Sequence, residues 1–207
     1  MPPHFAELDR DEIAAIVAAA PLACVVAQTA QGLVANHIPL LADADGSLVG
    51  HVALANDMHR VVADGQPVLA VFRGADGYVS PNYYPSKAEH HRHVPTWNYE
   101  AVHMAGKIVF RHDDRSKRAA VGLLTRHHER RLNGDAAWRM ADAPRDWMET
   151  MLAAIVAFRI AVTQVIGKAK LSQNRDGRDH AGAVAGMRAS GQDAVAGRMA
   201  RRLARDG

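Results

Sequence analysis

The sequence predicts an α+β fold built on a mostly antiparallel β-barrel with flanking helices. Short segments with strand character are separated by tight turns, at Gln31-Gly32 and at Asp45-Gly46. Helical segments occur at the start, in the middle and near the end of the chain, but they do not alternate regularly with the strands. A doubly wound parallel sheet needs that alternation, so it is not expected.

The predicted strands and helices follow one another in an irregular order. The first helix begins after Asp9, which can cap it, and ends before Pro21. Pro39 lies within the second strand, which we therefore expect at a sheet edge or a bulge. The expected strands are residues 22–28, 33–42, 47–54, 68–72, 78–80, 96–110 and 156–166. Further helices are expected at residues 57–64, 115–130 and 145–155.

Three other segments complete the expected architecture. Residues 74–77 contain two glycines and predict a turn, and residues 81–95 are rich in proline and aromatic side chains and predict a loop. The last residues of the chain, about 30 in number, predict a loosely held helical tail. We expect one domain over residues 1–190 and a basic C-terminal extension over residues 191–207.

Composition limits the possible classes of protein. The chain has 207 residues, of which 48% are hydrophobic, as in ordinary globular proteins. It has no long apolar run, so we expect no membrane span. No secretory signal is expected either. Its one cysteine, Cys24, cannot form an intramolecular disulfide, which favours a cytoplasmic location. From Arg175 to Gly207, seven arginines and four aspartates give 7 − 4 = +3, the net charge of the whole chain. The chain is therefore no obvious electrostatic nucleic-acid binder.

Two histidines lie among apolar neighbours in the second and third predicted strands. A hairpin joins these strands, so we expect His37 and His51 on neighbouring strands. Because a buried imidazole needs hydrogen-bond partners, the pair forms either a satisfied part of the core or a cofactor site. The spacing indicates no third ligand, so no metal site is expected.

Aromatic residues are concentrated in one segment. All four tyrosines of the chain and Trp97 lie between Tyr78 and Tyr99, together with prolines and polar amides. Such clusters are typical of planar-ligand sites, in which rings stack and hydroxyls and amides contact the ligand edge. A rigid loop in a dimer interface is the alternative, and both can hold at once.

A third candidate segment, residues 167–175, is basic and polar. Lys168, Lys170 and Ser172 follow the last predicted strand and can hold a phosphate, although the spacing of a P-loop is absent. The histidines of residues 90–93 suit no standard zinc motif, and no helix-turn-helix pattern is evident.

At these segments the chain resembles the PaiB family of FMN-binding negative transcriptional regulators. The resemblance spans about residues 3 to 190. The segments that carry it are Pro3-His4-Phe5, Ala35-Asn36-His37-Ile38-Pro39, Gly50-His51-Val52-Ala53, Ala55-Asn56, Tyr78-Val79-Ser80-Pro81, Tyr84-Pro85-Ser86-Lys87, Val94-Pro95-Thr96-Trp97-Asn98-Tyr99, Leu124-Thr125, His128-Glu129, Gly167-Lys168 and Lys170-Leu171-Ser172-Gln173-Asn174.

The resemblance implies a fold, a cofactor and a partner. The fold is the split β-barrel of pyridoxamine-phosphate oxidase-like flavoproteins, which are usually homodimers with FMN at the subunit interface. The family is named for a repressor of protease synthesis and sporulation genes, so the implied function is negative transcriptional regulation. DNA is then a further candidate partner, contacted directly or through another protein.

The resemblance and the residue patterns together select twelve cofactor-binding candidates. We expect the flavin phosphate where the strand ending at residue 54 meets the following helix, and segment 168–174 is the alternative. The candidates are His37, His51, Asn56, His59, Arg60, Tyr78, Ser80, Trp97, Asn98, Lys168, Lys170 and Ser172.

Two other functions are compatible with the same fold. A flavin-dependent oxidoreductase of the pyridoxamine-phosphate oxidase type is one, and a haem-binding split-barrel protein is the other. Fold alone does not separate them from a regulator, because function is determined by the site. No catalytic residue is identified, and we expect a regulator rather than an enzyme.

Overall fold

The structure is a computed structural model that describes residues 2–7 and 9–206. Its strands are β1 (Ala6–Glu7), β2 (Leu22–Thr29), β3 (Gly32–Pro39), β4 (Leu41–Ala42), β5 (Leu48–Ala53), β6 (Pro67–Val79), β7 (Thr96–Arg111) and β8 (Ile155–Lys170). Its helices are α1 (Arg10–Ala19), α2 (Met58–Val61), α3 (Lys87–His90), α4 (Asp114–Asn133), α5 (Arg145–Ala153), α6 (Gly177–Ala189) and α7 (Asp193–Asp206). No helix within the described ranges is long and apolar enough to cross a membrane.

The strands form one sheet in the order β3-β2-β6-β7-β8-β5-β4, and β1 pairs with β8. The pairings β1–β8, β2–β3, β2–β6, β4–β5 and β5–β8 are all antiparallel. The expected fold class, a mostly antiparallel sheet with flanking helices, is therefore confirmed. The strand that contains Pro39 lies at the end of this order, as predicted for a strand whose proline cannot donate a ladder hydrogen bond.

Local sequence signals account for most element boundaries. The Asp9 carboxylate accepts hydrogen bonds from the N–H groups of Asp11 and Glu12 and so caps α1, as predicted. Gly32 and Gly46 adopt positive φ in the two predicted turns. The predicted loop of residues 81–95 is less irregular than expected, because it contains a 3-10 turn (Pro81–Tyr83) and helix α3.

Contacts divide the chain into two compact units. The first unit comprises residues 1–20, 73–102 and 166–207, and the second comprises residues 21–72 and 103–165. The core of the first unit is formed by Val79, Tyr84, Ala169, Leu171, Ala183, Val184, Met187, Val195, Ala196 and Met199. Fully buried side chains of the second unit include Val25, Leu40, Leu48, Phe72, Ile108, Phe158 and Ile160.

The predicted turn at residues 74–77 is wrong, because β6 continues through it to Val79. Neither glycine of this segment adopts positive φ. A Cβ atom on Gly74 would lie 3.1 Å from the Cβ of Glu100, and one on Gly77 would lie 2.8 Å from the Cε of Met187. These glycines therefore permit close packing within a strand rather than a chain reversal.

The last strand also extends beyond its predicted end. β8 passes through Gly167 and ends at Lys170, so the first four residues of the basic segment 167–175 are strand. A Cβ atom on Gly167 would lie 2.6 Å from the carbonyl oxygen of Glu7, on the paired strand β1. Glycine at this position is required by the close approach of β1 and does not end the strand.

The expectation of a loosely held C-terminal tail is wrong as well. α7 buries Val195, Ala196 and Met199 in the core of the first unit. The guanidinium group of Arg198 lies 2.7 Å from Glu100 and 2.5 Å from Glu12. Side-chain burial and these ion pairs hold the helix in place. The separation of residues 1–190 from residues 191–207 as a domain and an extension stays a prediction.

A glycine on α6 provides a test of this packing. A Cβ atom on Gly186 would lie 2.3 Å from ring atoms of Tyr83. Gly186→Ala is therefore expected to lower the free energy of unfolding by about 2 kcal/mol, because overpacking outweighs the better helix propensity of alanine. Urea denaturation measures the change.

Gly197→Ala on α7 is the matched control for this measurement. No atom lies within 4 Å of the position that its Cβ would occupy. Alanine there is expected to leave the free energy of unfolding unchanged or to raise it by up to about 1 kcal/mol. Equal stability of the two variants would show that Tyr83 does not pack on α6 in this way.

Candidate functional site

The twelve predicted site residues divide between the two units. The second unit contains His37, His51, Asn56, His59 and Arg60. The first unit contains Tyr78, Ser80, Trp97, Asn98, Lys168, Lys170 and Ser172.

Asn56 lines a cavity of about 450 Å³ in the second unit. Its Nδ2 donates a hydrogen bond to Oδ1 of Asn36 at 2.9 Å, and its Oδ1 accepts one from the N–H of Met58 at 2.9 Å. These bonds fix the amide between β3 and the start of α2. The cavity is lined by Val34, Ala35, Asn36, Asn56, Asp57, Met58 and Val61. It thus combines an apolar wall with two side-chain amides.

His59 and Arg60 follow on α2. His59 Nε2 lies 3.0 Å from the carbonyl oxygen of Leu54, and its ring packs edge-on against His112 at 5.6 Å. The Arg60 guanidinium donates to Asp57 at 2.9 Å and to the same carbonyl oxygen at 3.3 Å. Both partners of the ion pair are largely exposed. Such pairs stabilise a protein by less than about 1 kcal/mol, so an incoming anion can recruit Arg60 at small cost.

The expected hairpin between the strands of His37 and His51 is wrong, although β3 and β5 contact each other without pairing. His37 is on β3, which pairs with β2, and His51 is on β5, which pairs with β4 and β8. Pro39 ends β3 and has no N–H to donate, so the short strand β4, rather than β3, forms the hairpin with β5.

The two histidines also differ in environment. His37 is exposed, whereas His51 is half-buried and its Nδ1 atom is buried without a hydrogen-bond partner among the described residues. Burial lowers the pKa of His51, so its imidazole is neutral at pH 7. A buried ring nitrogen without a partner is a group that a ligand can satisfy.

An aromatic pair lies on the surface of the first unit. The rings of Tyr78 and Trp97 meet edge to face with their centroids 6.2 Å apart. The indole N–H of Trp97 donates to Asp76 at 2.9 Å, and 51% of the residue is exposed. Ser80 accepts a hydrogen bond from the N–H of Asn82 and caps the following 3-10 turn. The two rings are therefore accessible to a planar ligand.

Asn98 and Ser172 lie inside the core of the first unit. Asn98 is fully buried, and its Nδ2 donates to Ser172 Oγ at 2.8 Å and contacts the Sδ of Met199 at 3.4 Å. Its Oδ1 has no partner among the described residues. Ser172 is buried and adopts a φ of 66°, a conformation that side chains other than glycine rarely adopt.

The two predicted lysines have partners within the same unit. Lys170 Nζ donates a hydrogen bond to Thr96 Oγ1. The Lys168 ammonium group lies 4.8 Å from the centroid of the Tyr99 ring, in cation–π geometry. Both lysines are half-buried.

The sequence did not predict a buried cluster of Ser86, His93 and Asp179. Asp179 accepts hydrogen bonds from the N–H of Ser86 at 3.0 Å and from its hydroxyl at 2.6 Å. His93 Nε2 lies 2.7 Å from the same hydroxyl oxygen. The Ser86 proton is thus held by the carboxylate and not by the histidine, so the cluster is not arranged as an activated nucleophile.

This cluster fixes the aromatic segment, which comprises residues 78–99. The His93 and Tyr84 rings lie 4.7 Å apart, and the Arg175 guanidinium lies 4.8 Å from the Tyr84 ring. Burial would raise the pKa of Asp179, but the Ser86 hydrogen bonds and the neighbouring cations hold that pKa below its ordinary value. The carboxylate is therefore ionised at neutral pH. No sequence signal links Ser86 to Asp179, which lies 93 residues away.

Among the side chains of residues 2–7 and 9–205, no group of three or more His, Cys, Asp or Glu is suited to a metal ion.

Comparisons with known proteins identify the family of the chain. Residues 1–164 match the family described as "Putative FMN-binding domain". The protein named protease synthase and sporulation protein PAI 2, from Bacillus subtilis, is 31% identical over 183 residues, which are 87% of this chain and 84% of that protein.

Solved structures share the fold. The FAD and haem binding protein from Mycobacterium smegmatis superposes with a TM-score of 0.60 at 21% identity, over 80% of this chain and 73% of that one. The flavocytochrome Anf3 from Azotobacter vinelandii superposes with a TM-score of 0.58 at 16% identity, over 86% and 75%. At these identities the likeness concerns the fold alone. The family match and the 31% identical relative together show that the chain belongs to the PaiB family of FMN-binding-type split-barrel proteins.

Proposed function

We propose that the protein is a cytoplasmic, FMN-binding homodimer that acts as a negative transcriptional regulator, with DNA contacted directly or through another protein. The FMN-binding-type domain and the relative named for protease synthesis and sporulation support this proposal. The observation that carries it is the cavity beside the Asn36–Asn56 amide pair.

The residues around this cavity fit a flavin. A cavity of about 450 Å³ lies within the range of small-molecule sites, about 300–1,000 Å³. The flavin ring is planar, apolar on its faces and polar along one edge. Val34 and Val61 offer an apolar wall, and the Asn36 amide nitrogen, which has no partner among the described residues, can donate to the ring edge.

The phosphate of FMN requires a cation, and Arg60 is the nearest in sequence to Asn56. Its exposed ion pair with Asp57 can be exchanged for a phosphate, which accepts two parallel N–H bonds from a guanidinium group. Lys170 of the first unit is the alternative, but its ammonium group already bonds Thr96.

The proposed homodimer is supported by the exposure of β3. This edge strand buries only Ile38, while Leu33 is 74% exposed. An exposed edge strand with apolar side chains is normally covered in a native assembly, and a twofold partner is the usual cover. A second copy on β3 would also lie over the cavity, which Val34 and Ala35 of that strand line.

Arg60→Ala is expected to lower the affinity for FMN. A lost charge-assisted phosphate contact costs about 1.5–3 kcal/mol, which is a ten- to hundredfold increase in Kd. Arg145→Ala is the matched control, because Arg145 also forms an exposed ion pair on a helix of the same unit. Fluorescence titration with FMN measures the affinities.

Two outcomes of this titration would change the proposal. An unchanged Kd for Arg60→Ala with a large loss for Lys170→Ala would move the phosphate to the basic segment. No FMN binding by the unmodified protein would overturn the flavin site altogether. A Soret band on addition of haem would then support the haem alternative.

The same titration tests whether the aromatic segment of a partner subunit contacts the flavin in the proposed homodimer. Trp97→Ala is expected to lower FMN affinity about tenfold or more by lost stacking, while the free energy of unfolding without FMN changes by less than about 1.5 kcal/mol because the ring is half exposed. Trp147→Ala is the control, since Trp147 is equally exposed and lies on α5. Equal affinities of both variants would exclude Trp97 from the site.

Sedimentation velocity at micromolar concentration is expected to show a dimer, because β3 lies at the end of the strand order and exposes the apolar side chains of Leu33 and Ala35. A monomer as the sole species at these concentrations would contradict the homodimer.

A further inference from the structure

A second cavity of the second unit has a lining that does not include Asn56. It has a volume of about 780 Å³ and lies between the C-terminal half of α4 and the loop that follows. None of the twelve predicted site residues lines it. Its lining consists of Gly122, Thr125, Arg126, Arg130, Gly134, Asp135, Ala137, Trp138, Arg139 and Met140.

Three guanidinium groups line this cavity against one carboxylate. Arg126 and Arg130 are four residues apart and so lie on the same face of α4, and Arg139 comes from the loop. Asp135 is the one acidic residue of the lining. The side chains thus give the cavity a net charge of 3 − 1 = +2.

The three arginines are available to a ligand. In the part of the chain that the structure describes, Arg126, Arg130 and Arg139 have no ion pair and no side-chain hydrogen bond. Other arginines of the same unit are engaged: Arg145 pairs with Glu149, and Arg159 pairs with Asp43 and Asp45. Unpaired guanidinium groups that converge on a cavity are the donors that bind phosphate or carboxylate groups.

The loop over the cavity is held in place by hydrogen bonds to two side-chain carboxylates, those of Glu129 and Asp142. Oε2 of Glu129 accepts hydrogen bonds from Asn133 Nδ2 at 2.8 Å and from the N–H of Trp138 at 3.0 Å. These two bonds hold the pKa of Glu129 below its ordinary value. The Asp142 carboxylate accepts a hydrogen bond from the N–H of Arg139 at 2.8 Å. Glu129, the carboxylate next to Arg130 in the chain, therefore holds the loop rather than neutralising the arginines.

The cavity also has an aromatic and apolar wall. Trp138 is 39% exposed, and Ala137 and Met140 lie beside it in the lining. An indole ring next to guanidinium groups suits a ligand that has a flat ring and an anionic group.

We propose that this cavity, which we call the arginine pocket, is a second binding site that takes a phosphate-bearing planar ligand of the nucleotide class. The phosphate oxygens bind Arg126, Arg130 and Arg139, and the ring packs on Trp138. The proposal does not depend on FMN binding at the Asn56 cavity.

Calorimetric titration of the full-length protein with ADP and with inorganic pyrophosphate tests the proposal. Both probes are expected to bind, and Arg126→Ala and Arg130→Ala are each expected to raise their Kd about tenfold or more, as for lost charge-assisted contacts. Arg131→Ala is the matched control, because Arg131 is an exposed arginine of the same helix and does not line the pocket. Its Kd values are expected to equal those of the unmodified protein.

Trp138→Leu distinguishes the contribution of ring packing to binding from that of the phosphate contacts. It is expected to weaken ADP binding but to leave pyrophosphate binding unchanged, because pyrophosphate has no ring. The four substituted side chains are exposed, so the variants are expected to fold normally. Thermal melting of each variant checks this. The four are Arg126, Arg130, Arg131 and Trp138. Failure of the unmodified protein to bind either probe at millimolar concentration would overturn the proposal, as would equal losses for Arg131→Ala and Arg126→Ala.

Competition with FMN distinguishes this proposal from the proposed function. ADP binding without any FMN binding would support the arginine pocket and overturn the flavin proposal. FMN binding that leaves ADP affinity unchanged would support two separate sites. If FMN displaced ADP and Arg126→Ala weakened both, the arginine pocket would be supported as a planar-phosphate site and the flavin would be placed there.

Discussion

The close approach of the segment around Tyr83 to α6 is the contact on which the first unit depends. Gly182 and Gly186 leave room for this segment, since a Cβ atom on either would lie within 2.5 Å of its atoms. The two glycines are at positions i and i+4 of the helix, so they lie on the same face of α6, which has no side chain at either position. On the same helix, Asp179 binds both the N–H and the hydroxyl of Ser86. The family match ends at residue 164, and α6 begins at Gly177. A helix outside the matched residues therefore holds the aromatic segment of the matched domain.

The arginines of α7 and those around the 780 Å³ cavity differ in their partners. In the first unit, Arg198 and Arg202 are mostly buried and pair with Glu7, Glu12 and Glu100 of other segments. The basic tail carries the net charge of the chain. Part of this charge is neutralised by glutamates of the same unit. In the second unit the arginines around the 780 Å³ cavity remain unengaged among the described residues. Anion binding is therefore expected of the arginine pocket.

Much of the fold was predictable from local signals, because caps and turns depend on a few adjacent residues. The Asp9 cap and the Gly46 turn are examples. Gly77 was misinterpreted as a turn residue because the contact that requires it, with Met187, comes from a distant helix. Of the candidate site, Asn56 was predicted, but its partner Asn36 was not recognised as a site residue, since a strand residue gains that role only when β3 reaches α2. Likewise, nothing in the loop after α4 indicated that it would form a pocket.

Amide hydrogen exchange of Asp179→Ala tests most directly whether α6 holds the aromatic segment. Without the carboxylate, the N–H and hydroxyl of Ser86 lose their buried acceptor. Amides of residues 81–95 are expected to exchange about tenfold faster or more, because each lost bond costs on the order of 1–3 kcal/mol in local stability. Amides of β2 and β5 in the second unit are expected to keep their rates and serve as the internal control. Unchanged exchange across residues 81–95 would contradict the account.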